Sequence, residues 1–242
     1  MTFFKTILPL LCVGLCYASA QTTGKHDILV SSAAIQNLYR NCGNFVNVNV
    51  PDLCSDYNPI CTATEADIQQ STETRRKFLI VPRGNKCILS VSNNIGETPE
   101  LLGTLTFNVI EPPKPFMEIL VNGQRATSST AASKGSRLTI KIEPDPEFAA
   151  AMPQDAKYGI ATIKFFTQCG LGAPQMVGEV NTNGYDAVEG INLPIPGDAF
   201  TCGSGAKIFV EMSETYRINF KGEKIADSRF TLYEGNISFL AK

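Results

Sequence analysis

The clearest hydrophobic pattern in the chain is the alternation Phe45-Val46-Asn47-Val48-Asn49-Val50, closed by Pro51. Valines on one side and asparagines on the other describe a strand with one buried face, stopped where a proline removes the next ladder donor. Shorter runs of the same character predict strands at Asp27 to Val30, Ile60 to Thr64, Lys77 to Val81, Cys87 to Ser92 and Leu101 to Val109. Turn-rich pieces such as Pro82-Arg83-Gly84-Asn85 and Asn93-Asn94-Ile95-Gly96 separate them. Further strands are predicted at Met117 to Val121, Arg137 to Ile142, Gly159 to Thr167, Gln175 to Asn181 and Lys207 to Ser213. A terminal hairpin runs from Arg217 to Phe220 and back along Lys224 to Leu232. Asn122-Gly123 is a hairpin-type turn, and Ile163 and Phe165 against Thr162 and Lys164 mark a strand packed on one face. Helical periodicity is missing throughout, and Phe148 to Met152, between Pro146 and Pro153, has room for one helical turn only.

The fold class predicted is therefore all-β. Glu111-Pro112-Pro113-Lys114-Pro115 forbids helix and withholds the donors a central strand needs, so it marks a domain boundary. Two tandem β domains follow: a sandwich over 27–110, a proline-rich linker over 111–116, and a second β domain over 117–242 with short helical turns.

Residues 1–20 change the picture of where the chain works. Lys5, the apolar run from Ile7 to Cys16 and the small-residue box Ala18-Ser19-Ala20 describe a secretory signal peptide cut before Gln21. That run is about half the roughly 20 residues needed to cross a bilayer, so no transmembrane anchor is expected and the mature chain is expected to be periplasmic or secreted. Lipidation at Cys16 is disfavoured by Leu15, because a small residue normally precedes a lipidated cysteine. In an oxidising compartment Cys42, Cys54, Cys61, Cys87, Cys169 and Cys202 read as disulfide partners. The first four cluster and the last two stand apart, which suggests two domains stapled separately; a Cys169 to Cys202 bridge would contribute roughly 3 to 4 kcal/mol in the chain-entropy model.

Composition narrows the chemistry. A net charge of -2 with scattered basic residues argues against nucleic acid as a partner. His26 is the single histidine, so neither catalysis by a histidine base nor any multi-histidine metal site is expected. No metal or cofactor is predicted, and no enzymatic activity. Cys169-Gly170-Leu171-Gly172-Ala173-Pro174 and Cys202-Gly203-Ser204-Gly205 complete neither a phosphate loop nor a nucleophile elbow and read as loop ends tied by one disulfide. Asp52 with Asp56, and Asp145 with Glu147, are carboxylate pairs set among turn residues, and solvated turns are the expected reading. His26 reads as an exposed residue beside the new terminus, and the sequon-like Asn236-Ile237-Ser238 carries no weight. What is left is recognition through sandwich surfaces and edge strands.

Leu38-Tyr39-Arg40-Asn41-Cys42-Gly43-Asn44-Phe45 through Val50-Pro51 resembles the opening of the third periplasmic domain of the GldM/PorM family, motor proteins of gliding motility and type IX secretion. The order Phe78 to Pro82, Lys86 to Ser92, Gly103 to Val109 and Pro112 to Pro115 is similar as well. Met152 to Tyr158 and Tyr216 to Glu223 resemble parts of the family's terminal domain. The resemblance implies an immunoglobulin-like first domain, a GldM C-terminal-like second domain, and docking to protein partners in the cell envelope, a second copy of the chain among them. This chain departs from the family in having a cleavable signal where members carry an amino-terminal membrane helix, and in its cysteines, whose pairing among the first four stays open. Arg217, Phe220 and Lys221 in the terminal hairpin are the candidate partner contacts. The competing class is an extracellular adhesion or ligand-binding immunoglobulin-like module, gripping a small molecule or glycan with its loops.

Overall fold

A computed structural model describes residues 22–24, 26–32, 37–53, 57–184, 186–229, 231–232 and 238–242. The signal segment 1–20, Cys54, Asp56 and Asn236 lie outside them.

The first half of the chain supplies β1 (Thr22–Gly24), β2 (Leu29–Ser32), β3 (Asn37–Tyr39), β4 (Asn44–Asn49), β5 (Pro59–Ala63), β6 (Ala66–Gln70), β7 (Lys77–Pro82), β8 (Lys86–Asn93) and β9 (Glu100–Ile110). They form two sheets, one ordered β2-β4-β7-β6 and one ordered β1-β9-β8-β5, with β3 running parallel to β9 beyond β1. The alternation in β4 does what its sequence dictates: Val46, Val48 and Val50 are buried while Phe45 and Asn47 face out. Their core is completed by Phe78 and Ile80 from β7 and by Leu89, Val91, Leu105 and Phe107 from the facing sheet. This is an immunoglobulin-like β sandwich.

The second half builds β10 (Phe116–Val121), β11 (Gln124–Arg125), β12 (Ala131–Ala132), β13 (Arg137–Glu143), α1 (Pro146–Ala151), β14 (Lys157–Gln168), β15 (Gln175–Asn181), β16 (Ile191–Pro194), β17 (Lys207–Ile218), β18 (Lys224–Ala226), β19 (Thr231–Leu232) and β20 (Ser238–Ala241), with a 3-10 turn at Gly197–Phe200. One sheet is ordered β11-β10-β13-β16 with β19 parallel to β10; the other is β12-β20-β17-β14-β15, with β18 on the far end of β17. Asn122 and Gly123, at φ 51° and 79°, make the two-residue turn that sets Val121 opposite Gln124. Ile119, Ile140, Ile160, Phe165 and Ile208 lie in this second core, which shares no residue with the first.

Among the described residues the regular structure is all β apart from the six residues of α1 and the 3-10 turn. Asp145 caps α1 by accepting from the Glu147 and Phe148 N–H groups at 3.0 Å each, and Pro146 opens the helix where its missing N–H costs nothing. Several strands went unread in the sequence: β1, β3, β6, β16 and β20 are short or polar, and pairing to a neighbour creates them, not their own pattern.

The cysteine reading is corrected in part. Cys169 and Cys202 are bonded, with Cα atoms 5.5 Å apart, and the bond ties the β14–β15 hairpin end to the segment after the 3-10 turn. Cys42, Cys61 and Cys87 are buried free thiols. Cys61 faces Val91 across the β5–β8 ladder, four residues along β8 from Cys87. At about 3.3 Å per residue that offset is roughly 13 Å, beyond the approximately 7 Å a disulfide spans. Both serve as small hydrophobic side chains in the first core.

Candidate functional site at the joint between the sandwiches

A third, small cluster of buried residues lies apart from both cores: Cys42 from the first sandwich and Phe148, Met152 and Ala156 from the second. Phe148 is held inward by α1, whose cap fixes the start of the helix, and meets Tyr39 edge to face at 5.0 Å between ring centroids. Burying that phenyl ring is worth about 1.5 to 3 kcal/mol.

Polar contacts converge beside this cluster. Asp155, between α1 and β14, is 2% exposed, and Arg217, on β17 opposite Tyr158, is equally buried. Asp155 Oδ2 accepts from the Gly43 N–H at 3.1 Å, and its Oδ1 accepts from the Phe220 N–H at 3.2 Å and from Arg217 Nη1 at 3.4 Å. Arg217 donates further to the Asp155 carbonyl at 3.1 Å and to the Asn41 carbonyl at 3.4 Å. One carboxylate and one guanidinium thus join three segments from both sandwiches. Burial pushes the Asp155 carboxyl above the usual carboxylate range, although the two N–H donors and Arg217 each pull it back down.

The linker is gripped from both sides. Glu111 is 2.6 Å from Arg40 of the first sandwich and 3.8 Å from Arg229 of the second, and Arg229 also donates to the Pro112 carbonyl at 3.3 Å. Asp227 anchors Arg229 at 3.0 Å. Pro112 and Pro115 are themselves buried.

The candidate partner contacts fall into this joint in unequal ways. Arg217 is not on the surface: β17 is covered on both faces at Thr215, Tyr216 and Arg217, so its charge is turned inward to the first sandwich. Phe220 is half-buried, its ring so close to Gly43 that an added Cβ there would lie 2.8 Å from it. Lys221 is exposed, with Nζ 5.6 Å from the Phe220 ring. Asp155, the residue that unites the joint, was missed because its segment reads as an ordinary turn, and Arg217, next to the end of β17, shares that strand with Lys207, Glu211 and Glu214, so its charge did not stand out.

Outside the joint runs a shallow cleft. Phe45, 45% exposed on β4 with Lys77 Nζ 4.5 Å from its ring, lies between a hollow reaching Ser71 and Glu73 and one reaching Met152, Pro153 and Phe220. Both sandwiches therefore contribute to one surface.

The remaining sequence candidates take structural parts. Asp145 is the helix cap and Glu147 an exposed first-turn residue. His26 is partly buried, with Nδ1 4.0 Å from Asp52 Oδ2, where an exposed residue was expected. Among the described residues, no three of His, Cys, Asp and Glu gather to hold a metal ion, and no helix is long and apolar enough to cross a membrane.

Fold and joint together define a class: a tandem β-sandwich protein whose most elaborate polar cluster serves to join its domains. Residues 27–110, the span of the first sandwich, match the family model of the GldM third domain. No curated protein matches the chain in sequence. Among solved structures, one described as "Structures of Clostridium thermocellum CbhA fibronectin(III)-like modules" is similar at 8% identity, covering 88% of this chain and 92% of that one, with a TM-score of 0.25 that carries no argument.

Proposed function

We propose that this chain is an exported, non-enzymatic docking protein, made of a GldM third domain and a GldM C-terminal-like domain, that binds protein components of the gliding or type IX secretion apparatus in the envelope. The observation that carries the reading is the match of residues 27–110 to the GldM third domain, a structural and protein-interaction module. The signal-like segment 1–20 supports export, and the cleft at Phe45, Pro153 and Phe220 is lined by residues of both sandwiches. Lys77 and Lys221 stand over its two phenylalanines.

Affinity capture with the full chain from envelope extracts tests this. Recovery of gliding or secretion components, reduced by Phe45→Ala, is the expected result. Recovery of a glycan alone, or a turnover that copurifies with the chain, would replace it by the adhesion or the enzyme reading.

A further inference from the structure

We propose that the Asp155–Arg217 pair is a latch that holds the two sandwiches in one fixed orientation, making the chain a rigid rod where a proline linker would otherwise leave two beads on a string.

The apolar part of the joint is too small and too undirected to set an angle. Cys42, Phe148, Met152 and Ala156 form a cluster of only four buried residues, with a single edge-to-face ring contact beside it. The ionic grip on the linker is exposed: Glu111 keeps 48% of its side-chain surface in water, so its pairs with Arg40 and Arg229 are weak and screened by salt. Among the described contacts across the joint, the buried pair is the one that is both directional and dry. The Asp155 carboxylate reaches backward to the Gly43 N–H and forward to the Phe220 N–H, and Arg217 reaches the Asn41 carbonyl, so turning one sandwich against the other breaks bonds at two points of the 41–43 segment.

Energy alone does not account for such a pair. Replacing a buried ion pair by apolar groups of similar volume is often neutral or stabilising, whereas removing one partner leaves an uncompensated charge. Among the described residues no such fully buried pair lies within either core, and one kept at that cost at the seam between two domains acts on orientation. Gly43 shows the same demand in its backbone, since the Phe220 ring occupies the space a side chain would need. This inference goes beyond the docking proposal and holds whether or not a partner binds.

The test separates stiffness from stability. Backbone 15N relaxation on the wild-type chain should give one rotational correlation time for both sandwiches. The double variant Asp155→Leu with Arg217→Met removes both charges together, so it is expected to fold with a melting temperature close to wild type. Each of its sandwiches should nevertheless tumble independently, with correlation times falling towards about half, because each holds about half of the mature chain. Two correlation times in the wild type, or a single unchanged one in the double variant, would overturn the latch. Asp155→Asn serves as a check if it folds, with the same expected split; if it does not, the wild-type and double-variant measurements still decide.

Discussion

At the scale of single residues, burial has turned Cys42, Cys61 and Cys87 of the first sandwich into hydrophobes. It pushes the Cys42 and Cys61 thiols up to about 12 and the Cys87 thiol up to about 11, with Arg217 working the other way at Cys42. In the unfolded chain these thiols titrate at about 8.5. Above that pH the unfolded state sheds protons that the folded state keeps, so stability falls as pH climbs from there towards the folded values. Urea midpoints should therefore drop between pH 8 and pH 10.5, and Cys61→Ala should flatten the slope; midpoints level across that range would contradict the burial. Iodoacetamide at pH 8 should spare Cys42, Cys61 and Cys87 until the chain unfolds. The neighbouring Gly43 makes a steric prediction. Its absent Cβ would lie 2.8 and 2.9 Å from two atoms of the Phe220 ring, so Gly43→Ala should cost about 1 to 3 kcal/mol in chemical denaturation, and Phe220→Ala in the same chain should recover part of it. The thiols were legible as cysteines and illegible as partners, because a strand register, not a sequence spacing, places Cys61 and Cys87 out of reach of each other.

At the scale of elements, the strands that were legible are those whose pattern the core enforces. The β4 alternation and the packed face of β14 at Ile163 and Phe165 follow from apolar side chains that must share a face. By contrast β6, Ala66-Asp67-Ile68-Gln69-Gln70, has no buried residue, and only its ladder to β7 makes it a strand. The Cys169–Cys202 bond acts at this scale too. It closes a loop with a sequence separation of 33 that spans β15, β16 and the 3-10 turn. Removing it with Cys169→Ser and Cys202→Ser should cost about 3 to 4 kcal/mol, read as a lower melting temperature that reductant mimics in the wild type. Hydrogen exchange should rise first in the β14–β15 hairpin end, where Leu171 and Met176 already face water, and leave β4 and β7 unchanged. Faster exchange in the first sandwich instead would mean that the bond supports more than its own hairpin.

At the scale of the whole molecule, the question is which contacts make two cores into one body. A proline cluster announces a boundary in the sequence, yet nothing in its composition says whether the boundary bends; that is decided by residues far from it, Asn41 and Gly43 on one side and Asp155, Arg217 and Phe220 on the other. The exposed and buried charges at the joint should separate cleanly when each is removed. Glu111→Ala breaks two partly solvated pairs and should cost no more than about 1 kcal/mol, less at high salt. Asp155→Ala strands Arg217 in a site where its side chain is 3% exposed and should cost about 3 to 5 kcal/mol, with little dependence on salt. Denaturant midpoints for the two variants, taken at low and high sodium chloride, check the ranking. Equal losses would place the holding force in the linker, and a salt-sensitive Asp155→Ala would mean that water reaches the seam. The predicted order, a large salt-independent loss beside a small salt-dependent one, follows from how much solvent each charge still sees.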